Sequence, residues 1–539
     1  MSLGSSLTRD VLLCENIAIG RTKSAQHANS TLYLWAEPTG CQGQRPGKLK
    51  GMQETKPPGH VQRTRLVVPS RSDLLLKNFT ELIGGPMGAR SAPGLISPGV
   101  FTVERVLIIL TVAAALAGIA IKGYCRANGW TSPGQFYSTC YSDFPEFFRN
   151  RGLGDGTFPI LSPGSLFEDP VLVGLIAGVT AWLVPGEGVS DARILGYFDV
   201  NATLVAAVWI VTVLATARMS QRRPWDAAMV ALAPGIVLAG TINWDMWAVA
   251  LLALGMLCFS RERLALAGTL IGLAAATKPY AALVLGAILL LALRTGRIRG
   301  FLITAGASAA TWLAVNVPVA VSNTPGWGYF FRFTETREAG YGSLWFAYNL
   351  VARRLRWPVL DPTTINWLAL AVFLLACAMI SVVALTAARR PRLAQLAFLI
   401  VGAFILTNKV YSPQHVLWLI PLVALARPRW RDFLVWQGVE GLHWAAVWMY
   451  LGQVTSQSPT QHNIDMPYYV LAVAAHMLAT AYLMFRVVWD IHDPHYDPIR
   501  RHHLDDPQGG PFAGLPDWLR FSPRHPSRAV LPWRAKHHA

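Results

Sequence analysis

Leu393 to Arg431 read LAQLAFLIVGAFILTNKVYSPQHVLWLIPLVALARPRWR. Two apolar runs, 393–407 and 412–426, flank a polar elbow that holds Asn408, Lys409, Tyr411 and Gln414. Arg389, Arg390 and Arg392 precede the first run, and Arg427, Arg429 and Arg431 follow the second. Apolar runs of about this length approach what a helix needs to cross ~30 Å of hydrocarbon. Lys and Arg collect in short cytoplasmic loops. The stretch therefore reads as a helical hairpin that enters and leaves a membrane from its basic side.

The same pattern recurs along the chain. Apolar segments fall at 103–121, 197–217, 226–241, 246–259, 264–277, 280–293, 301–320 and 365–387, and beyond the hairpin at 433–451 and 467–486. Basic clusters at Arg218/Arg222/Arg223, Arg261/Arg263 and Arg294/Arg297/Arg299 all land on the side of the hairpin's arginines; Arg353, Arg354 and Arg356 break the rule. Pro170–Val184 is apolar but short, and the arginines stay on one side only if it does not cross. The expectation is an all-α polytopic membrane protein of about twelve spans with both termini cytoplasmic.

Composition agrees. Of 539 residues, 53% are hydrophobic and 14% charged, against about 25% charged in soluble domains. The net charge of +17 fits the positive-inside bias, and no nucleic-acid motif accompanies it. Six cysteines, none spaced CxxC, exclude a metal ribbon or disulfide scaffold. Residues 1–98 are polar and broken by Gly and Pro, without a secretory pattern. They read as a disordered extension, or through residue 68 as a start placed too early, with an amphipathic juxtamembrane stretch at 69–91. The transmembrane domain spans 99–489, and 490–539 reads as a polar cytoplasmic tail.

The loops on the basic side are short and hold neither a P-loop nor a GxGxxG opening a helix. Chemistry is therefore expected on the other, extracytoplasmic face. Loop 122–169 there offers Asp143 in an aromatic, proline-stiffened setting, where burial raises a carboxylate toward general-base use. A solvated loop acid is the plainer alternative. Cys125 and Cys140 are the cysteines of this face, and a bridge between them would brace the loop. Asn243-Trp244-Asp245, Lys278-Pro279-Tyr280 and the 408–415 elbow sit at three helix junctions of the same face. Charges at membrane depth are costly and point to function, or to helix ends snorkelling to the interface. Arg332 and Arg337 either grip phosphate or pair with Glu335 and Glu338. His443 and His476 read as isolated buried polar groups, and no metal-ligand spacing stands out.

In order, these pieces are CYSD ending at Asp143, the lip Glu168-Asp169-Pro170, NWD, TKPY around Lys278, GSLW from Gly342, and NKVYSPQHVLWLIPL from Asn408. Over about residues 70–500 the set resembles actinobacterial membrane glycosyltransferases of family 87. These lie in the GT-C superfamily, which includes polyprenyl-phosphate-mannose-dependent mannosyltransferases. The resemblance implies a GT-C-like helical enzyme that takes a sugar, mannose being expected, from a polyprenyl-phosphate donor to an envelope lipid or glycan acceptor. It makes Asp143 the general base. Relatives commonly carry Glu-Tyr-Pro at the lip, so Glu168 is carried over and position 169 is not. The substrate-binding set is Glu168, Asp245, Lys278, Tyr280, Arg337, Asn408, Lys409, Tyr411 and Gln414, with Lys278, Lys409 and Arg337 for the phosphate. The scheme needs no metal or other cofactor, and its partners are donor, acceptor and membrane lipids, without nucleic acid. A transporter or lipid flippase is the rival reading. Flippase-like folds show internal repeats and midplane charges, whereas here no repeat is visible and charges gather at helix ends.

Overall fold

The computed structural model describes residues 66–82, 102–162, 164–456, 463–502 and 504–521. The expectations for residues 1–65, 83–98 and 522–539 lie outside the described residues. Among those described there is no strand. Helices of eight residues or more are α1 (Leu74–Leu82), α2 (Val103–Ile121), α3 (Asp143–Asn150), α4 (Val171–Trp182) and α5 (Asp191–Met219). Then follow α6 (Asp245–Ser260), α7 (Leu264–Thr277), α8 (Val284–Thr295), α9 (Ile298–Ser322) and α10 (Thr324–Thr336). The last are α11 (Leu344–Leu355), α12 (Pro362–Thr386), α13 (Leu393–Thr407), α14 (Val416–Ala426), α15 (Trp430–Thr455) and α16 (Met466–His492).

Five of these, α2, α5, α9, α12 and α16, are long and apolar enough to cross a membrane. That is fewer full-length spans than the twelve expected. The segments expected as spans at α6, α7, α8, α13 and α14 are helices of 11–16 residues. Segment 226–241 is not one helix. Its α-helical turns Ala228–Ala231 and Pro234–Ala239 are separated where Pro234 forbids continuation. Helix α15 has 26 residues but carries Arg431, Asp432, Glu440 and His443. Helix α4 is 12 residues, or about 18 Å, well short of the hydrocarbon thickness.

Small residues set the packing. Helices α7 and α9 approach so closely that a Cβ on Gly268 would lie 2.2 Å from the Thr304 carbonyl oxygen, and one on Gly272 would lie 2.5 Å from that of Ser308. In an apolar solvent such close backbone approach replaces the hydrophobic effect as the source of helix–helix cohesion.

The two ends of the bundle differ. At one end lie loop 122–169, the lip before α4, and the strap 337–343 between α10 and α11. At the other the arginines are covered, not free. The segment after α16, expected as a polar tail, folds back at least to residue 521. Arg392 and Asp497 form an ion pair with both side chains wholly buried, 2.9 Å apart. Arg427 pairs with Asp490 and Asp432, and Arg294 reaches Asp517 at 2.8 Å. Buried guanidinium groups demand such partners, which is why a charged segment packs against an apolar bundle.

Candidate active site

Helix α3 begins at Asp143 because Ser142 caps it, its hydroxyl accepting from Phe144 N at 3.3 Å. That hydroxyl also donates to Thr241 O at 2.7 Å, and Asp143 N donates to Ile242 O at 2.8 Å. Loop 122–169 is thereby stitched to the turn before α6. Cys125 and Cys140 are joined in a disulfide beneath it.

The Asp143 carboxylate accepts from Tyr141 Oη at 2.7 Å and from Asn243 Nδ2 at 2.8 Å. The same Asn243 amide reaches Asp169 at 3.3 Å. Asp169 accepts from Lys278 Nζ at 2.6 Å, and that ammonium stands 3.8 Å from Asp245. Trp418 Nε1 fixes the other oxygen of Asp245 at 2.7 Å. Segments distant in sequence thus converge on one acidic cluster. Burial, the largest influence, pushes the Asp143 carboxyl up to about 6, the hydrogen bonds from Tyr141 and Asn243 oppose it, and Asp169 adds to it. A carboxylate so placed is mostly ionised at neutral pH yet basic enough to take a proton.

Several expected residues have other work. Lys278 is paired, so its charge is spent on Asp169 and Asp245 and not available to phosphate alone. Glu168 is held bidentately by Arg151 at 2.6 and 2.7 Å. Tyr280 is buried and stacked on Trp418 at 4.1 Å. Lys409 donates to the Glu335 carbonyl at 2.9 Å and Asn408 to that of Val410 at 3.3 Å, while Gln414 is half-buried in the turn Pro413–His415. Burial and the Arg337 charge hold the Lys409 ammonium below its usual range.

Arg337 is different. Among the described residues neither it nor Arg332 has a carboxylate within 4 Å, so the expected pairing with Glu335 and Glu338 is absent; Arg332 donates to the Pro325 carbonyl at 2.8 Å. Arg337 lies 5.2 Å over the Phe333 ring. Burial lowers its basicity while Asp169, Asp143 and Glu168 pull the other way, which sets this half-buried guanidinium in the field of the cluster.

Sequence reasoning passed over three features. Asp169, set aside for its departure from Glu-Tyr-Pro, is the partner that ties Lys278 to Asn243. Lys122, which follows the expected span 103–121, is absent from the expected site residues. It is fully buried and donates to Tyr141 O at 2.8 Å. Burial pulls its ammonium down to about 7 against the attraction of Asp143. Its rarity was the available signal: of nine lysines, Lys122, Lys278 and Lys409 all fall on this face.

The third is a buried group under the strap, and it corrects the reading of His443 and His476 as isolated. Their rings stack at 3.6 Å and 1°. Glu440 Oε1 accepts from Tyr411 Oη, Trp436 Nε1 and Thr480 Oγ1 at 3.0–3.2 Å. Tyr411 is thus buried, with its hydroxyl engaged by Glu440. The spacing Glu440-x-x-His443, with His476, brings three ligand-type side chains within 4.8 Å. Parallel rings 3.6 Å apart share no in-plane point, however, so both imidazoles cannot meet one ion as they stand. His476 Nε2 lies 3.0 Å from Gly342 O and Nδ1 3.4 Å from Glu440. The Nε2 contact ties the strap to α16. A Cβ on Gly342 would sit 2.2 Å from Tyr411 O, so glycine alone allows that approach.

Beside Asp169 lies a cavity of about 110 Å³ lined by Trp312, Trp327, Phe330 and Pro279. It adjoins an apolar groove of about 400 Å³ that shares Ala275, Pro279 and Trp312 and runs along α8 and α9. The groove reaches the outer surface of α9, where Leu302, Leu313 and Val317 are exposed.

Residues 192–413 match the family model described as Glycosyltransferase family 87. The match takes in Asn243, Asp245, Lys278 and Arg337 and leaves Asp143 and Asp169 outside. No curated protein and no solved structure matches the chain.

Proposed function

We propose, with the glycosyltransferase family 87 domain at residues 192–413 as premise, that this membrane protein transfers a sugar from a polyprenyl-phosphate donor to a lipid or glycan hydroxyl on the extracytoplasmic face, mannose being the expected sugar. The observation that carries the lipid-linked donor is the apolar groove that starts at Asp169 and ends on the exposed surface of α9. An amphiphile whose phosphate stays at the polar end can lay its chain there and leave into the bilayer.

In the reaction the acceptor oxygen attacks the anomeric carbon as the bond from that carbon to the phosphate oxygen breaks. The acceptor proton passes to Asp143, and the departing polyprenyl phosphate keeps the bonding electrons. Its developing charge is met by Arg337, a guanidinium in the field of the cluster that has no carboxylate partner among the described residues. Lys278 holds Asp169 and Asp245 in register. Lys122 and Asn243 tune and orient the base.

The test is transfer by purified protein supplied with a polyprenyl-phosphate sugar and an envelope lipid extract. Asp143→Asn should lower turnover by ~10²–10⁴-fold with donor affinity intact. Arg337→Gln should lose on the order of 10²-fold in kcat/KM for the donor. Full activity of Asp143→Asn would remove the base. Absence of transfer by the unmutated protein with any lipid-linked donor would favour the transporter.

A further inference from the structure

The arginine end holds a second site, independent of the donor reading. A cavity of about 440 Å³ opens there between α1, the start of α15 and the segment after α16. Its walls carry Arg429, Arg431 and Arg501, with Leu74 and Leu75 at one side.

The charge on these walls is not balanced. Asp432 is engaged by Arg427 and Arg431. Asp73 spends its oxygens on backbone N–H groups, accepting from Leu75 N at 3.0 Å and Trp430 N at 3.2 Å. Among the described residues Arg429 donates to the Tyr496 carbonyl, and Arg501 to that of His495 at 2.6 Å while lying over the Tyr496 ring. Among the described residues neither has a carboxylate within 4 Å, so two guanidinium forks face one cavity with N–H groups to spare. Burial and the nearby Arg427 charge hold Arg429 below its ordinary basicity, against the pull of Asp490 and Asp432.

The rim is apolar. Leu74 and Leu75 line it, 73% and 38% exposed; Phe79, 56% exposed, follows one turn after Leu75 on α1, an amphipathic helix whose preceding residues are tied to the bundle by Val67 N donating to Arg222 O at 2.9 Å. Water is a poor neighbour for that face. A free phosphate would satisfy the arginines and leave these side chains bare. An anionic phospholipid satisfies both, its phosphodiester on Arg429 and Arg501 and its chains against Leu74 and Phe79. Basic pockets between spanning helices on the cytoplasmic side bind acidic headgroups by this same pairing. We infer that this cavity is a binding site for an anionic glycerophospholipid of the leaflet facing the arginine end, and that the lipid pins α1 to the membrane surface.

The test uses the full-length protein, delipidated in detergent and reconstituted into nanodiscs of phosphatidylcholine with a minority of phosphatidylglycerol. Lipid retained after re-extraction is counted by native mass spectrometry. The unmutated protein should prefer phosphatidylglycerol, and R429Q/R501Q should lose roughly 10–30-fold of that preference with an unchanged melting temperature. L74S/F79S, which keeps the arginines, should also weaken retention. Millimolar inorganic phosphate should displace little lipid. Displacement by inorganic phosphate alone, equal retention by R429Q/R501Q, or no preference in the unmutated protein would each overturn the assignment.

Discussion

A pH profile gives the most direct reading of Asp143. A free aspartate titrates near 3.8, and burial in this loop raises Asp143 to about 6. The base is therefore active above that value and lost as pH falls through it. Between pH 7 and pH 5 the ionised fraction drops about tenfold, whereas an unperturbed aspartate would change by less than about 10%. In a discontinuous assay of lipid-linked sugar transfer, kcat/KM should show an acidic limb centred near pH 6. Lys122→Met removes a buried positive charge whose ammonium feels Asp143. Loss of that attraction favours the protonated acid, so the limb should move to higher pH, by up to about one unit. Asn243→Ala deletes a hydrogen bond to the ionised form and should shift it the same way. A limb below pH 5, or one that stays fixed in both variants, would refute the electrostatic argument even if Asp143→Asn were inactive.

Three further outcomes are expected. Lys278→Met strands Asp169 and Asp245, whose side chains are 11% and 1% exposed; breaking such a buried pair costs about 3–5 kcal/mol, seen as a lowered melting temperature, whereas a phosphate ligand would leave stability unchanged. Replacing Cys125 and Cys140 by serine removes a cross-link over 15 residues, worth about 3 kcal/mol, and limited proteolysis of loop 122–169 should accelerate. In a background lacking free thiols, an impermeant maleimide should label Asp155→Cys and spare Arg297→Cys, both at exposed positions; the reverse would invert the proposed sidedness.

The helices were legible because apolar runs, arginine stops and prolines act locally. The run 264–277 matches α7 residue for residue, and 393–407 matches α13. The count of full-length spans was not legible, since hydropathy does not distinguish a 14-residue helix that packs within the bundle from one that crosses alone. In the candidate site, Asp143, Asp245, Lys278 and Arg337 were found as residue types out of place in an apolar chain, and the structure sets them in one electrostatic neighbourhood. Their pairing was not legible. Lys278 chooses Asp169 across 109 positions, and Asn243 serves both Asp143 and Asp169 because three loops close on the same point. Lys122 escaped notice because a lysine ending an apolar helix is ordinarily solvated; only the loop folding over it makes it buried. The stacking of His443 on His476 depends on how α15 meets α16 and leaves no trace in either helix alone.

The closure of the arginine end bears on how the molecule is made. Arg294, Arg392 and Arg427, within or capping α8, α13 and α14, are synthesised before Asp517, Asp497 and Asp490, which receive them. While the ribosome works through the last helix, Arg294 and Arg392 can reach backbone carbonyls but not the carboxylates that neutralise them, and Arg427 has Asp432 alone of its two. Completion of the bundle is thus tied to the arrival of its final described segment, and a chain halted before Asp497 carries all five long apolar helices of the described residues yet cannot close its arginine end.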